Sequence, residues 1–299
     1  MPTKKKNAPN ASSATQTLQN AIRTTRMIAM AAFGISIIAI LIGLVPLATA
    51  YLKGPAPNFG HTLALVNQPI SASQLAVINN ASASYFSTAG AMYLNGTLPN
   101  AGVQATAANA FILNGKPSVL YLGAISCIYC GENRWAMALA LGRFGNFSSI
   151  YNGYSSFGDG DLPTLYWLPA ALNDSSAVNF GSNYSSRYIN FLPVEYISPI
   201  KAGFEMQSLP YFVAQANATK NAVYLNVTKT FVALNSFQGT PYTLWGRSIA
   251  AGADAIDFAN DTTQLQNMTH AQVFNQLRNP QNTFAWTEYA AADLYIAMT

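Results

Sequence analysis

Charge is scarce in this chain, and acidic charge is missing from its whole first part. Only 9% of the 299 residues are charged, against a usual quarter, and no Asp or Glu precedes Glu132. Surface polarity must therefore come from Asn, Ser, Thr, Gln and Tyr. The formal net charge of +4 gathers at one end: Lys4, Lys5, Lys6, Arg23 and Arg26 all precede Met27, and from Lys53 onward the balance is roughly neutral. A nucleic-acid partner would need a basic face on the folded part, and the sequence offers none. Histidine and cysteine are as sparse, with His61, His270, Cys127 and Cys130 the complete set. Zinc wants four ligands, so two cysteines and two distant histidines argue against a metal site. Asp159-Gly160-Asp161 lacks the later glutamate of an EF-hand and reads as a solvated turn. No metal and no cofactor are expected.

Apolar residues, by contrast, are plentiful: 51% of the chain is hydrophobic and 12% aromatic, enough to bury a full core. One stretch, Met27–Leu52, contains no charge at all. At about 1.5 Å per helical residue it spans a hydrocarbon core of roughly 30 Å. Residues 1–26 before it form a polar leader without apolar period, read as mostly disordered. Positive charge on the leader side, against Lys53 alone just beyond the apolar run, predicts a cytoplasmic N-terminus and an exterior C-terminal part, held at the cell membrane by one pass. A competing reading is a cleaved secretion signal, since Ala48-Thr49-Ala50 has the small-x-small form of a cleavage site. The apolar run is longer than a signal core, which favours an uncleaved anchor. Residues 53–70 then read as a stalk and 71–299 as an extracytoplasmic domain.

An exterior location agrees with the acceptor sites for glycans. Asn-x-Ser/Thr sequons begin at Asn80, Asn95, Asn146, Asn173, Asn183, Asn217, Asn226, Asn260 and Asn267, with another at Asn10 in the leader. Composition alone predicts about four. The excess points to a glycosylated domain.

The chemistry concentrates at Cys127-Ile-Tyr-Cys130. Val119–Leu122 before it are strand formers behind Pro117, and good helix formers run on from Glu132, so the pair lies where a strand ends and a helix begins. Unpaired N–H groups and the positive end of the helix dipole stabilise thiolate there, which predicts Cys127 as nucleophile with a depressed pKa. Cys130, one helical turn on and shielded by the helix, would resolve a mixed disulfide. A passive disulfide is the bland alternative, but so short a loop restricts the unfolded chain little.

Along the rest of the chain, Ser71 opens a helix expected to run to about Gly96, and Phe111-Ile-Leu with a turn at Asn114-Gly115 leads into the strand before Cys127. Residues 146–165 read as a Gly/Ser/Asn-rich loop and Tyr184–Ile197 as a strand. A mixed or helical region is expected from about Ser208 to Val232. Thr240-Pro241 followed by Tyr-Thr-Leu-Trp has the form of a cis-proline before a strand, with Leu209-Pro210-Tyr211 a local rival. A turn between Gly246 and Gly252 and a terminal helix follow.

Several blocks resemble one family: Gly115-Lys-Pro-Ser-Val-Leu-Tyr-Leu-Gly-Ala124, Cys127-Ile-Tyr-Cys-Gly-Glu-Asn-Arg-Trp-Ala-Met-Ala-Leu-Ala-Leu-Gly-Arg-Phe-Gly145, Tyr85–Gly96, Phe191–Glu195, Gly239-Thr-Pro-Tyr-Thr-Leu-Trp-Gly246 and Thr269–Leu277. They are similar to the archaeal membrane-anchored family catalogued as domain of unknown function 929, which is regarded as thioredoxin-like. The resemblance implies an α/β thioredoxin-like domain with insertions, behind one N-terminal transmembrane helix. It further implies that Cys127 and Cys130 form the redox pair or disulfide, and that Pro241 is the cis-proline beside it. Thr240, Pro241 and Tyr129 would then meet substrate. Ile128 stands where relatives commonly carry Pro. The expected function is thiol–disulfide exchange on exported proteins that carry thiols or disulfides. The alternative is a surface glycoprotein or binding module whose disulfide is purely structural.

Overall fold

The computed structural model describes residues 64–98, 104–105, 109–125, 127–155, 161–171, 177–196, 216–234, 240–251, 263–266 and 268–299. All belong to the unit Pro57–Thr299. The leader, the apolar segment, Asp159, Pro210 and the sequons at Asn10, Asn173, Asn260 and Asn267 lie outside the described residues, so the readings made of them are not addressed by the fold. Among the described residues, no helix is long and apolar enough to cross a membrane.

Among the described residues two helices come first, α1 (Ala72–Asn79) and α2 (Ala83–Leu94), where one continuous helix to Gly96 was expected. The break has a local cause. Ser82 is extended and accepts a hydrogen bond from the N–H of Ser84, so it caps a new helix rather than continuing the old one. Ser71 caps α1 through a capping box with Gln74, as its position predicts.

The centre is β3 (Lys116–Ala124), a strand buried on both faces over most of its length. At its start it pairs with β2 (Ile112–Leu113) through a two-residue turn in which Asn114 and Gly115 both take positive φ, the turn that Asn-Gly favours. One long edge of β3 pairs in parallel with β9 (Asn190–Tyr196), from Ser118 opposite Asn190 to Ala124 opposite Tyr196. The other edge pairs antiparallel with β10 (Tyr242–Trp245), which hairpins into β11 (Ser248–Ala251). β1 (Gln104–Ala105) and β7 (Val178–Phe180) close the two sides, giving the order β1-β11-β10-β3-β9-β7 with β2 added to β3. A parallel pair needs a crossover, and α3 (Ile128–Gly142) belongs to it.

Alternation along β3 sends side chains to two cores. Leu120, Leu122 and Ala124 join Leu192, Val194, Tyr242 and Leu244 beneath α4 (Ala222–Leu234), which contributes Val227 and Phe231. Val119 and Tyr121 face the larger core, with α3, α1, α2, α5 (His270–Arg278) and α6 (Thr283–Met298). The expected terminal helix is thus two helices, each with its own cap at Thr269 and Asn282.

Residues 146–165 are not simply loop. They contain β4 (Asn146–Phe147), β5 (Tyr151–Tyr154) and the start of β6 (Pro163–Tyr166). β5 pairs with β6, and β4 pairs with β8 (Tyr184–Ser185). The Gly, Ser and Asn content that argues for loop is overridden by pairing and by burial of Phe147, Leu165 and Tyr166. The expected strand from Tyr184 to Ile197 is likewise two, because the Ser186 hydroxyl accepts from the N–H groups of Tyr188 and Ile189 and turns the chain between β8 and β9. Within the stretch read as mixed or helical, the described part starts at residue 216, with helical residues 216–218 and a turn leading into α4.

Candidate functional site

Both cysteines stand where β3 ends and α3 begins. Cys127 is the N-cap of α3, with extended backbone and a sulfur that accepts the Cys130 N–H at 3.3 Å. It is half-buried, whereas Cys130 is fully buried behind it. Both are free thiols. The Ala124 N–H, at the last residue of β3, donates to Cys130 Sγ at 3.4 Å. Tyr129, between the cysteines, is 43% exposed.

The sequence-predicted proline loop comes to the same place. The Thr240–Pro241 bond is cis, and the Thr240 carbonyl lies 3.8 Å from Cys127 Sγ. The Thr240 hydroxyl is 3.1 Å from the Tyr196 hydroxyl at the end of β9. Pro241 is buried and Thr240 half-buried. Cys127, Cys130, Tyr129, Thr240 and Pro241 therefore cluster at one end of the sheet.

These contacts split the two thiols. Donation from the Cys130 thiol pulls the Cys127 pKa below its ordinary value; burial pushes the other way, and the Cys130 N–H, the Arg134 guanidinium and the Thr240 side chain reinforce the lowering. Cys130 moves up, first because it is buried, then because it donates to Cys127 and would share space with a second negative sulfur.

Under the pair lies a buried ionic group that sequence reasoning missed. Arg134, one helical turn beyond Cys130 on α3, is fully buried and donates from Nε to Glu195 Oε1 at 2.7 Å. Its Nη2 donates to the Ala124 carbonyl at 2.6 Å, and its guanidinium lies 5.9 Å from the Tyr166 ring centre. The residue whose N–H holds Cys130 is thus held in turn by Arg134. Burial opposes the charge on Arg134, but Glu195, Tyr121 and Cys130 together outweigh it and keep the guanidinium protonated. Burial lifts Glu195 above the ordinary 4.5, while Arg134 pulls it back down. Among the described residues, Glu195 Oε2 and the Tyr121 hydroxyl are buried without a hydrogen-bond partner. Tyr121 reaches over Gly123, where any Cβ would overlap its ring and hydroxyl. One signal could have found this group. In a chain so poor in charge, an Arg inside Trp-Ala-Met-Ala-Leu helix sequence and a Glu between Val194 and Tyr196 have no reason to be there unless they meet.

The glycan candidates are spread elsewhere. Asn80, Asn95, Asn146, Asn217 and Asn226 are exposed, whereas Asn183 is half-buried and its amide donates to the Ser149 hydroxyl at 2.8 Å. His270 is buried on α5, with Nε2 2.8 Å from the Gly153 carbonyl and 2.9 Å from that of Thr164. Among the described residues, no group of three or more His, Cys, Asp or Glu side chains could hold a metal ion.

Residues 104–298 match the family described as a domain of unknown function, DUF929. The chain belongs to that family. Among the described residues, the matched region takes in every strand, α3 to α6 and the whole cysteine site, so the DUF929 domain is the sheet with its cysteine pair. No curated protein and no solved structure matches the chain.

Proposed function

We propose that this DUF929 protein is a thiol–disulfide oxidoreductase with a thioredoxin-like fold, anchored in the cell membrane by Met27–Leu52 and acting on exported proteins. The observation that carries the reading is the asymmetry of the pair: Cys127 caps a helix, is reachable and is depressed in pKa, while Cys130 is buried directly behind it and raised. A passive disulfide needs no such difference. The order β11-β10-β3-β9, with β3 and β9 parallel around α3 and the cis-proline at the head of β10, supports the thioredoxin-like reading.

In the reducing direction, the Cys127 thiolate attacks one sulfur of a substrate disulfide. A Cys127–substrate bond forms and the other substrate sulfur leaves as thiolate. Cys130 then gives up its proton to that departing thiolate or to water and attacks Cys127 Sγ, forming the Cys127–Cys130 disulfide and expelling the second substrate sulfur. Two electrons pass from the pair to the substrate. In the oxidising direction the same steps run backward, from a Cys127–Cys130 disulfide and a substrate dithiol. Tyr129 and the Thr240 backbone flank Cys127, where an extended substrate segment would lie.

The test uses the full chain and a peptide disulfide. Cys127→Ser should abolish exchange, and Cys130→Ser should accumulate a mixed disulfide at Cys127, since resolution is lost and attack is not. If the native chain does not exchange, and neither variant differs from it, the domain is a binding module and the reading fails. The location is tested by adding protease to intact cells: the part beyond Lys53 should be removed and residues 1–26 protected, and the opposite pattern would refute the orientation.

A further inference from the structure

We infer that Thr164 is a positioning residue for the resolving thiol: its hydroxyl, donated to the Gly131 carbonyl beside Cys130 and shared with Arg134, ties the β5–β6 hairpin to the first turn of α3 and sets the place from which Cys130 attacks. The inference deepens the thiol-exchange reading and rests on it for its purpose.

Cys130 is held from two directions. At its sulfur the Ala124 N–H donates at 3.4 Å, and the carbonyl of that same residue accepts from Arg134 Nη2 at 2.6 Å. On its main chain, the carbonyl of the following residue, Gly131, accepts the Thr164 hydroxyl at 2.5 Å. A carbonyl oxygen has two lone pairs, so this one can serve the helix ladder and Thr164 together. Arg134 Nη1 lies 3.5 Å from the Thr164 oxygen, so one guanidinium reaches both supports, while its Nε is occupied by Glu195. Cys130, Arg134 and Thr164 are all fully buried, which keeps bulk water off these bonds.

Proton accounting leaves one arrangement. A guanidinium only donates and a carbonyl only accepts, so the Thr164 oxygen receives from Arg134 while its single proton goes to Gly131. Valine in its place can do neither.

The hairpin end of the tie is itself fixed. Gly153 on β5 lies opposite Thr164 on β6, and their carbonyls lie 2.8 and 2.9 Å from His270 Nε2 on α5. Trp135 Nε1, on α3, donates to the Pro163 carbonyl at 3.0 Å. Tyr166, two residues beyond Thr164 and so on the same face of β6, carries the ring that lies 5.9 Å from the guanidinium. Thr164 is therefore anchored to β5, α5 and α3, and the start of α3 is held against it. A resolving thiol gains its advantage over a free thiol from placement, and a displacement of about 1 Å can cost roughly 100-fold. Cys127 attacks an incoming substrate with no second protein sulfur to align with, so its step does not depend on the tie.

The experiment uses the reduced full chain and one equivalent of dithiobis(nitrobenzoate), an aromatic disulfide whose halves absorb visible light once released as thiolate. The Cys127 thiolate attacks one reagent sulfur, forming a mixed disulfide and releasing one coloured thiolate. Cys130 then loses its proton to solvent and attacks Cys127 Sγ, forming the internal disulfide and releasing the second. Two electrons pass from the pair to the reagent, and two thiol protons leave the protein. In Thr164→Val the first release should keep its native rate, whereas the second should slow about tenfold or more. Thr164→Ser, which restores the hydroxyl, should return the second release to near its native rate. A Thr164 that serves only as core would change neither release or both alike, and either result overturns the proposal. So does a serine variant as slow as the valine one, or a native chain that releases only one thiolate. Should Thr164→Val fail to fold, Thr164→Ala, smaller and without a hydroxyl, is read in the same way, and a native second release in it overturns the proposal. The reagent reacts with thiols of any kind. A native chain that gives both releases yet exchanges no peptide disulfide would therefore refute the proposed function and leave the role of Thr164 readable by itself.

Discussion

Arg134→Met separates the electrostatics of the buried pair from its packing. Methionine preserves most of the apolar stem and removes the guanidinium, leaving Glu195 buried at 1% exposure without its counter-ion. Glu195 then takes up a proton to avoid a lone buried charge. Holding a carboxyl of ordinary pKa 4.5 protonated at pH 7 costs about 2.5 pH units, or about 3.4 kcal/mol. At pH 5 the same step costs about 0.7 kcal/mol. Loss of the 2.6 Å bond to the Ala124 carbonyl adds about 1–2 kcal/mol at either pH. The variant should therefore be destabilised by about 4–5 kcal/mol at pH 7 and about 2 kcal/mol at pH 5. The sign is that of a carboxyl whose folded pKa is raised: its stabilising proton is fully present below the unfolded value and is lost as pH rises through the folded one. Urea unfolding of the reduced protein at both pH values measures the difference, and adding Glu195→Leu should remove the pH dependence. A destabilisation equal at pH 5 and pH 7 would falsify the assignment of the cost to an uncompensated Glu195 charge.

Two further perturbations test the surroundings of the site. Gly123→Ala puts a Cβ into the Tyr121 ring and hydroxyl, so urea unfolding should show a loss of about 1–3 kcal/mol that a second change, Tyr121→Ala, does not add to in full; simple additivity would contradict the contact. His270 has its pKa lowered by burial, which outweighs the two carbonyls at Nε2, and its Nδ1 is buried without a hydrogen-bond partner among the described residues. Its contribution is therefore present above the unfolded pKa of about 6.5 and lost as pH falls toward the folded value, with a slope of at most about 1.4 kcal/mol per pH unit. His270→Asn should remove that slope from the stability curve, and an unchanged curve would refute the assignment.

What the sequence determined by itself was local. The Cys127–Cys130 spacing, the cap at Ser71 and the Asn114-Gly115 turn each depend on a few consecutive residues, and each appears where those residues predict it. Cys127's place at the start of α3 is of this kind. So is the proline before β10, although its nearness to Cys127 is not, since nothing local to Thr240 says which strand it will lie beside. The ends of elements were the weaker part: α1 and α2 separate because Ser82 competes as a cap, and β8 and β9 separate because one Ser186 hydroxyl satisfies two backbone donors. β5 and β6 were hidden altogether, because Asn152 and Gly153 become strand only when paired with Leu165 and Thr164. The side-chain pairs around the cysteines were decided by tertiary structure alone. Arg134 and Glu195 are 61 residues apart, and Tyr196 and Thr240 are 44 apart. Each pair meets only because β9 lies parallel to β3 in one register while β10 takes the opposite edge. A slip of one residue would send Glu195 to the other face of the sheet, away from α3, because side chains along a strand alternate. Charge scarcity marks Arg134 and Glu195 as unusual, but only the assembled sheet brings them together beneath the sulfur atoms.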